Sequence, residues 1–199
     1  MESLAHPGVN TTGISILATE LDGKRQELLT DLVPSARHIA ALADPGVTRP
    51  EQLRALEDAA RKQGIELSVY LASKPEEILP AIEAARASGA QALNVLASTL
   101  LNANRRPIIE RAAALKLPAI YQWPDMAEAG GLAAYGPNFN KIGRQRARQL
   151  VKLLQGTKPG DIPVEQPDKF ELVINLRTAK AIGLVVPPAL LDLADEVIE

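Results

Sequence analysis

A three-layer α/β fold, with a parallel sheet covered by helices on both faces, is what the sequence predicts. Two observations carry that prediction. Short apolar runs alternate with stretches of helical periodicity from about residue 22 to residue 129, and the connections between them are short. The runs are continuously apolar rather than amphipathic, as buried parallel strands are. A chain of 199 residues with 46% apolar residues can bury a sizeable core as one large domain or two small ones.

Asp22 to Leu32 supplies the opening helix, and Thr12 to Leu17 reads as an edge strand. Ile39–Ala43 is the first core strand, ended by Asp44-Pro45-Gly46. Pro50 to Gly64 is helical, with Leu53, Leu56 and Ala60 in phase, Glu51 in the first turn and Gly64 at the end. Ile65–Ala72 alternates as a strand. Ser73 is the expected N-cap of a helix from Pro75 to Ser88. Ala90–Ala97 and Pro118–Gln122 are further strands, Asn104–Leu115 a helix and Pro124–Ala129 a helical turn. Glu128 to Asn138, EAGGLAAYGPN, is too glycine-rich for a helix and too broken for an ordinary core strand. Helix resumes from about Lys141 to Leu154.

The last third has another rhythm. A turn-rich connector at 158–163 precedes a strand over Phe170–Leu176. A short helix over Arg177–Ile182 is ended by Gly183, and a last helix starts near Ala189.

Composition excludes several function classes. The net charge of −2, the lack of a basic run and an aromatic content of 3% argue against nucleic-acid binding. The absence of cysteine removes disulfides, thiolate nucleophiles and zinc–cysteine sites. The two histidines, His6 and His38, sit in a terminal segment and at the edge of a core strand, so neither a metal site nor a histidine-based catalytic site is expected. No phosphate-binding loop, nucleophile elbow or dinucleotide fingerprint is present. Glu76-Glu77 and Asp195-Glu196 fall on solvated helix faces. Arg144, Arg146 and Arg148 mark either a phosphate site or, the better reading, a solvated helix. No catalytic residue, metal or cofactor is expected.

Ligands of parallel α/β sheets bind beyond the carboxyl ends of the strands. That rule selects Asp44–Arg49, Ala72–Lys74, Ser98–Asn102 and Gln122–Asp125. The candidate ligand-binding residues are therefore Asp44, Ser98, Thr99, Asn102, Gln122, Trp123 and Tyr135. Ser98 and Thr99 either hold a carboxylate or only cap a helix. Trp123 either stacks on a flat ligand or packs at the domain edge. Tyr135 either offers its hydroxyl or is structural, and Asp44 reads more readily as a turn former. Gly130, Gly131 and Gly136 are candidates for a hinge, the first two also for a helix C-cap.

Four stretches carry a family resemblance: HPGVNTTGIS (6–15), KRQELLTDLVPSARHIAAL (24–42), LPAIYQWPDMAEAGGLAAYGPN (117–138) and LLQGTKPGDIPVEQPDKFELVINLRTAKAIGLVVPPALLDLADEVIE (153–199). The resemblance covers essentially the whole chain, and the last stretch is the most specific. The sequence resembles the substrate-binding proteins of bacterial ABC transporters, of the tryptophan/tyrosine type. Gly8-Val9 stands where that family more often has a double glycine.

The resemblance implies two α/β lobes joined by three crossing segments, as in type I periplasmic binding proteins, with a small-molecule solute in the cleft between them. An amino acid, preferably aromatic, is the implied solute and an ABC permease the implied partner. Residues 12–131 would form the second lobe. Residues 132–162 would be a crossing segment and a helix belonging to the first lobe, and residues 163–199 a return strand and the C-terminal helices. Glu128–Asn138 would be a crossing, with Gly130 and Gly131 as its hinge.

Family members are about half as long again and carry a secretion signal and most of a first lobe ahead of SLAHPGVNTTGIS. They are periplasmic or membrane-anchored on the outer side. This chain shows no signal peptide, so as expressed it is expected in the cytoplasm. The apolar stripe Ile142, Ala147, Leu150, Val151 and Leu154 must then be covered, either by packing on the present domain in a way the family does not use or by another copy, a homodimer being a natural solution. The alternatives to a solute receptor are an enzyme on a similar scaffold, a stand-alone sensory lobe and a non-transporting remnant.

Overall fold

The structure is a computed structural model and describes residues 3–8 and 10–199; Val9, half of the expected departure from a double glycine, lies outside them. The chain divides into two compact units. The larger comprises 18–136 and 171–199, the smaller 1–17 and 137–170. The chain therefore passes between them three times, at 17/18, 136/137 and 170/171.

The larger unit alternates helix and strand: α1 (Asp22–Leu32), β1 (His38–Ala43), α2 (Pro50–Lys62), β2 (Glu66–Leu71), α3 (Pro75–Ala87), β3 (Ala92–Val95), α4 (Thr99–Ala103), α5 (Arg105–Ala114), β4 (Ala119–Tyr121), α6 (Pro124–Glu128) and β5 (Ala133–Pro137). After the smaller unit's helix α7 (Phe139–Leu154) come β6 (Phe170–Asn175), α8 (Leu176–Ile182), α9 (Pro188–Leu193) and β7 (Glu196–Ile198). The strands lie in the order β2-β1-β3-β4-β5-β6-β7. The pairs β1–β2, β1–β3, β3–β4, β4–β5 and β6–β7 are parallel.

Burial explains the continuous apolar runs. Ile39 to Ala43 and Ala92 to Leu93 have no exposed surface, because helices cover both faces of the sheet. Leu28, Leu29 and Leu32 of α1 pack in the same cluster as Ile39, Ile120, Ile174 and Leu190. That cluster joins the alternating part of the chain to its C-terminal third.

Four expectations need correction. Thr12–Leu17 adds no strand to the sheet; Ile14 makes an isolated parallel bridge to Glu165, and Ser15 N–H donates to Glu165 O at 2.8 Å, inside the smaller unit. The alternation of Ile14 and Ile16 reported extended chain but not its neighbour. The stretch judged too broken for a core strand contains β5, paired with β4 through Ile120–Ala133 and Tyr121–Ala134. Its small side chains fit because little space is left there. Ser73 does not cap α3: its N–H and hydroxyl both donate to the Glu77 carboxylate, at 2.8 and 2.9 Å. The C-terminal residues 196–198 add the strand β7, unforeseen because three residues carry too little periodicity to read.

In the smaller unit α7 begins at Phe139, with Asn138 Oδ1 accepting from the amides of Asn140 and Lys141. Of the expected apolar stripe, Ile142 is buried, whereas within this chain Leu150 is 55%, Val151 51% and Leu154 79% exposed, and Ala147 is exposed too. Gln145 and Gln149 share the buried side of the helix with Ile142. Gln149 Nε2 donates to Gly13 O and Pro163 O, and Gln145 Nε2 to Gln166 O.

Candidate functional site

The carboxyl ends of β1, β3 and β4 bring three of the sequence candidates into one buried lattice. Asp44 leaves β1 with its Oδ1 accepting from Gly46 N–H at 2.8 Å. Its Oδ2 accepts from the Ser98 hydroxyl at 2.6 Å. Ser98 Oγ in turn accepts from the amides of Leu100 and Leu101, which makes it the N-cap of α4. Gln122, just after β4, locks onto the Ser98 backbone in both directions: Oε1 accepts from Ser98 N–H at 3.2 Å and Nε2 donates to Ser98 O at 3.0 Å. All three side chains are buried.

This arrangement divides the candidates. The Ser98 hydroxyl is fully committed, donating once and accepting twice, so its role in the structure is the cap. Asp44 is more than a turn former, since it ties its own turn to the neighbouring strand end. Gln122 holds the β3–α4 loop in place. Thr99 is exposed at the start of α4, and Asn102 is half-buried one turn on, with its Oδ1 buried and without a hydrogen-bond partner. Trp123 is 6% exposed, a packed residue whose indole forms part of the core at this strand end. Tyr135 is half-buried on β5.

The glycines sort by geometry. Gly130 has φ +106° and donates to Ala127 O, while Gly131 donates to Met126 O. These two bonds close α6 as a Schellman motif, so the pair is a helix C-cap lying inside the larger unit. Gly131 also packs against Tyr121, where an added Cβ would come within 2.7 Å of the ring. Gly136 is the last residue before the chain leaves the unit. A Cβ there would stand 2.0 Å from Gln122 O, so β5 passes the candidate loop too closely for any side chain.

Three buried residues that the sequence reading passed over lie beside this lattice. Asp22 Oδ1 accepts from Ala97 N–H at 3.0 Å, next to Ser98, and pairs with the Arg25 guanidinium. Asn94 Nδ2 donates to Asp22 O at 3.2 Å. Burial raises the Asp22 carboxyl against the opposing pull of Arg25, and burial lowers the Arg25 guanidinium. Asn94 was legible: it is the one polar residue inside the run ALNVL. Asp22 and Arg25 were legible too, since they precede Leu28, Leu29 and Leu32 on the helix side that must face the core.

Among the described residues no group of three or more His, Cys, Asp or Glu is placed to hold a metal ion. His38 Nε2 meets Ser68 Oγ at 2.8 Å, at the amino-terminal end of the strands and away from the lattice. A hollow of about 570 Å³, lined by Thr30, Pro34, Arg37, Ile65, Pro187 and Leu190, opens at that same end. It belongs to the wrong edge of the sheet for a ligand of this fold class.

Comparisons with known proteins bear on the family and the fold. A sequence model described as ABC transporter substrate binding protein matches residues 1–198. The tyrosine-binding protein of Clostridioides difficile (strain R20291) is 30% identical over 186 residues, 92% of this chain and 53% of that protein. The chain thus spans about half the length of that curated relative. A conserved domain protein from Vibrio cholerae, 27% identical, superposes with a TM-score of 0.86 over 99% of this chain and 66% of its own. The ABC domain in complex with L-Trp from Streptococcus pneumonia, 25% identical, gives 0.82 over 100% of this chain and 68% of its own. The α/β fold is that of type I periplasmic binding proteins. The chain belongs to the ABC transporter substrate binding protein family.

Proposed function

We propose that this chain is a solute-binding component of an ABC import system, taking an amino acid, preferably aromatic, without catalysis. The observation that carries the reading is the buried Asp44–Ser98–Gln122 lattice. It fixes the loops at the carboxyl ends of three adjacent strands, where a ligand of this fold class sits. A platform held by its own hydrogen bonds recognises a solute with little reordering. Its hydroxyl is occupied as a helix cap and has no histidine beside it, which suits recognition rather than nucleophilic attack. Relatives that bind tyrosine and L-Trp favour an aromatic amino acid.

In this reading the solute lies in a cleft between two lobes, over Thr99, Asn102 and Tyr135, with Gln122 and Trp123 supporting the floor. Gly136 serves as a hinge residue. A permease receives the solute, and the working compartment is extracytoplasmic. The exposed apolar stripe of α7 is covered by a second copy of the chain.

The test is a thermal-shift and calorimetric comparison of L-tyrosine, L-tryptophan, L-phenylalanine and L-alanine. An aromatic amino acid at 100 times its Kd should stabilise the protein by about 2.7 kcal/mol. Gln122→Ala should weaken that binding about tenfold or more, since it frees the β3–α4 loop at the cost of two hydrogen bonds. Absence of a shift with every amino acid, at concentrations up to millimolar, would overturn the proposal.

A further inference from the structure

We propose that Arg25 is a positioning residue that pins the two points where the chain enters and first leaves the larger unit. Its guanidinium has no exposed surface. Nη2 donates to Ala18 O at 2.8 Å and to the Asp22 carboxylate, and Nη1 donates to Tyr135 O at 3.1 Å. Ala18 is the first residue of the larger unit after the 17/18 passage, and Tyr135 is the last but one before the passage at 136/137. One side chain therefore holds the backbone carbonyls at two of the three passages, although they lie more than a hundred residues apart in sequence.

Asp22 extends the same connection to the candidate site. Its Oδ1 accepts from Ala97 N–H at 3.0 Å, one residue before Ser98. The path from the β3–α4 loop to both passages runs through a single buried carboxylate and a single buried guanidinium. Stability alone does not account for such a pair, because a well-packed apolar replacement of a buried ion pair is commonly as stable or more so. What an apolar pair cannot do is donate to two separate carbonyls. Arginine suits the task through its planar fork, which addresses several acceptors at fixed angles, whereas a lysine ammonium is a single point on a flexible stem. The carbonyls of Ala18 and Tyr135 would otherwise lose a donor in a part-buried setting.

The inference concerns the local order of the passages and rests on the solute-binding reading only for its effect on affinity. Hydrogen exchange of the full chain tests it, comparing wild type with Arg25→Lys and with the apolar pair Asp22→Leu/Arg25→Met. Exchange over 16–20 and 132–136 should accelerate by about tenfold or more in both variants, as local opening becomes easier. The amides of Leu42 and Leu93 in the sheet core should keep their wild-type protection. Uniform acceleration across the chain would overturn the proposal by making Arg25 a general stability residue. Unchanged exchange at the two passages in either variant would overturn it as well, since neither replacement reproduces the fork. None of these readings requires a ligand. Failure of every amino acid to bind would sink the solute reading and leave this one standing on its own data.

Discussion

The two units bury opposite kinds of side chain. The larger one closes a sheet whose strands β3 and β4 are fully buried and, Asn94 apart, apolar, and its buried polar groups are confined to one end of the strands and the adjoining first turns of α1. Among its described residues the smaller one buries two large apolar side chains beyond its prolines, Ile142 and Ile162, and it turns the glutamines of α7 inward. Leu150 and Leu154 of that helix face outward. A finished surface helix has the reverse arrangement. The difference teaches that the first unit contains the partners its sequence needs, and the second contains only some of them.

The largest expected effect separates the units by their cores. Leu93→Ala opens a cavity in a fully buried strand and should cost about 2–5 kcal/mol, seen as a lower midpoint in urea. Ile142→Ala removes a side chain that is equally buried, at 1% exposure, but from a unit with little else to lose. It should free α7 and the 159–166 segment while the sheet keeps its midpoint. Hydrogen exchange resolves the two outcomes. A common loss of protection across the sheet in Ile142→Ala would show one cooperative body and erase the contrast.

The contrast also explains what the sequence could and could not announce. The alternating part was readable because the apolar runs and helical phases of Ile39–Ala43, Leu53–Ala60 and Ala92–Val95 are each visible within a single short segment. Asp22 to Leu32 emerged with its bounds intact. At the candidate site, the rule for strand ends selected loops of which three are tied together by Asp44, Ser98 and Gln122, yet it could not tell a presented side chain from a supporting one. Ser98 and Gln122 are mutual supports, a relation between residues 24 positions apart that no local pattern encodes. Ala133–Pro137 escaped notice as a strand because its evidence is negative: small residues where the Gln122 and Trp123 backbone comes close. In α7 the apolar stripe is real, but within this chain only its Ile142 is buried. Glutamines bonded to Gly13, Pro163 and Gln166 carbonyls outcompete leucines for the buried face when the nearby chain offers unpaired carbonyls rather than apolar surface.

A second copy over the exposed stripe is the next test of that contrast. Phe139, Leu150, Val151 and Leu154 are all more than 40% exposed. Light scattering at tens of micromolar should give a mass above that of a monomer for wild type, and a monomer for Leu150→Ser/Leu154→Ser. The stability of the double variant should differ by no more than about 1 kcal/mol, because neither side chain is covered within the chain. Lys141, Arg144, Arg146, Arg148 and Lys152 are exposed on the same helix, which carries no acidic residue. Paired copies bring these charges together, so added salt should favour association by screening them. A wild-type monomer at every salt concentration removes the second copy as the covering element.

The smallest effect is one of pH, and it falls on one unit only. Glu77 accepts from the N–H and hydroxyl of Ser73, and these bonds hold its carboxyl below the usual carboxylate range. A carboxyl depressed in the folded state stabilises above its unfolded value, and that contribution disappears as pH falls through the folded one. The window therefore lies in mild to strong acid, below about pH 4.5. There the 73–77 turn at the start of α3 should lose exchange protection relative to neutral pH. Glu77→Gln should show the loss already at neutral pH and remove most of its dependence on acid. The bonds of Gln145 and Gln149 to backbone carbonyls involve no titrating group. The contacts that position α7 should accordingly be indifferent to the same acid step. Equal loosening at Ser73 and at Gln149 between pH 6 and pH 3 would mean that net charge, rather than this carboxylate, governs the response.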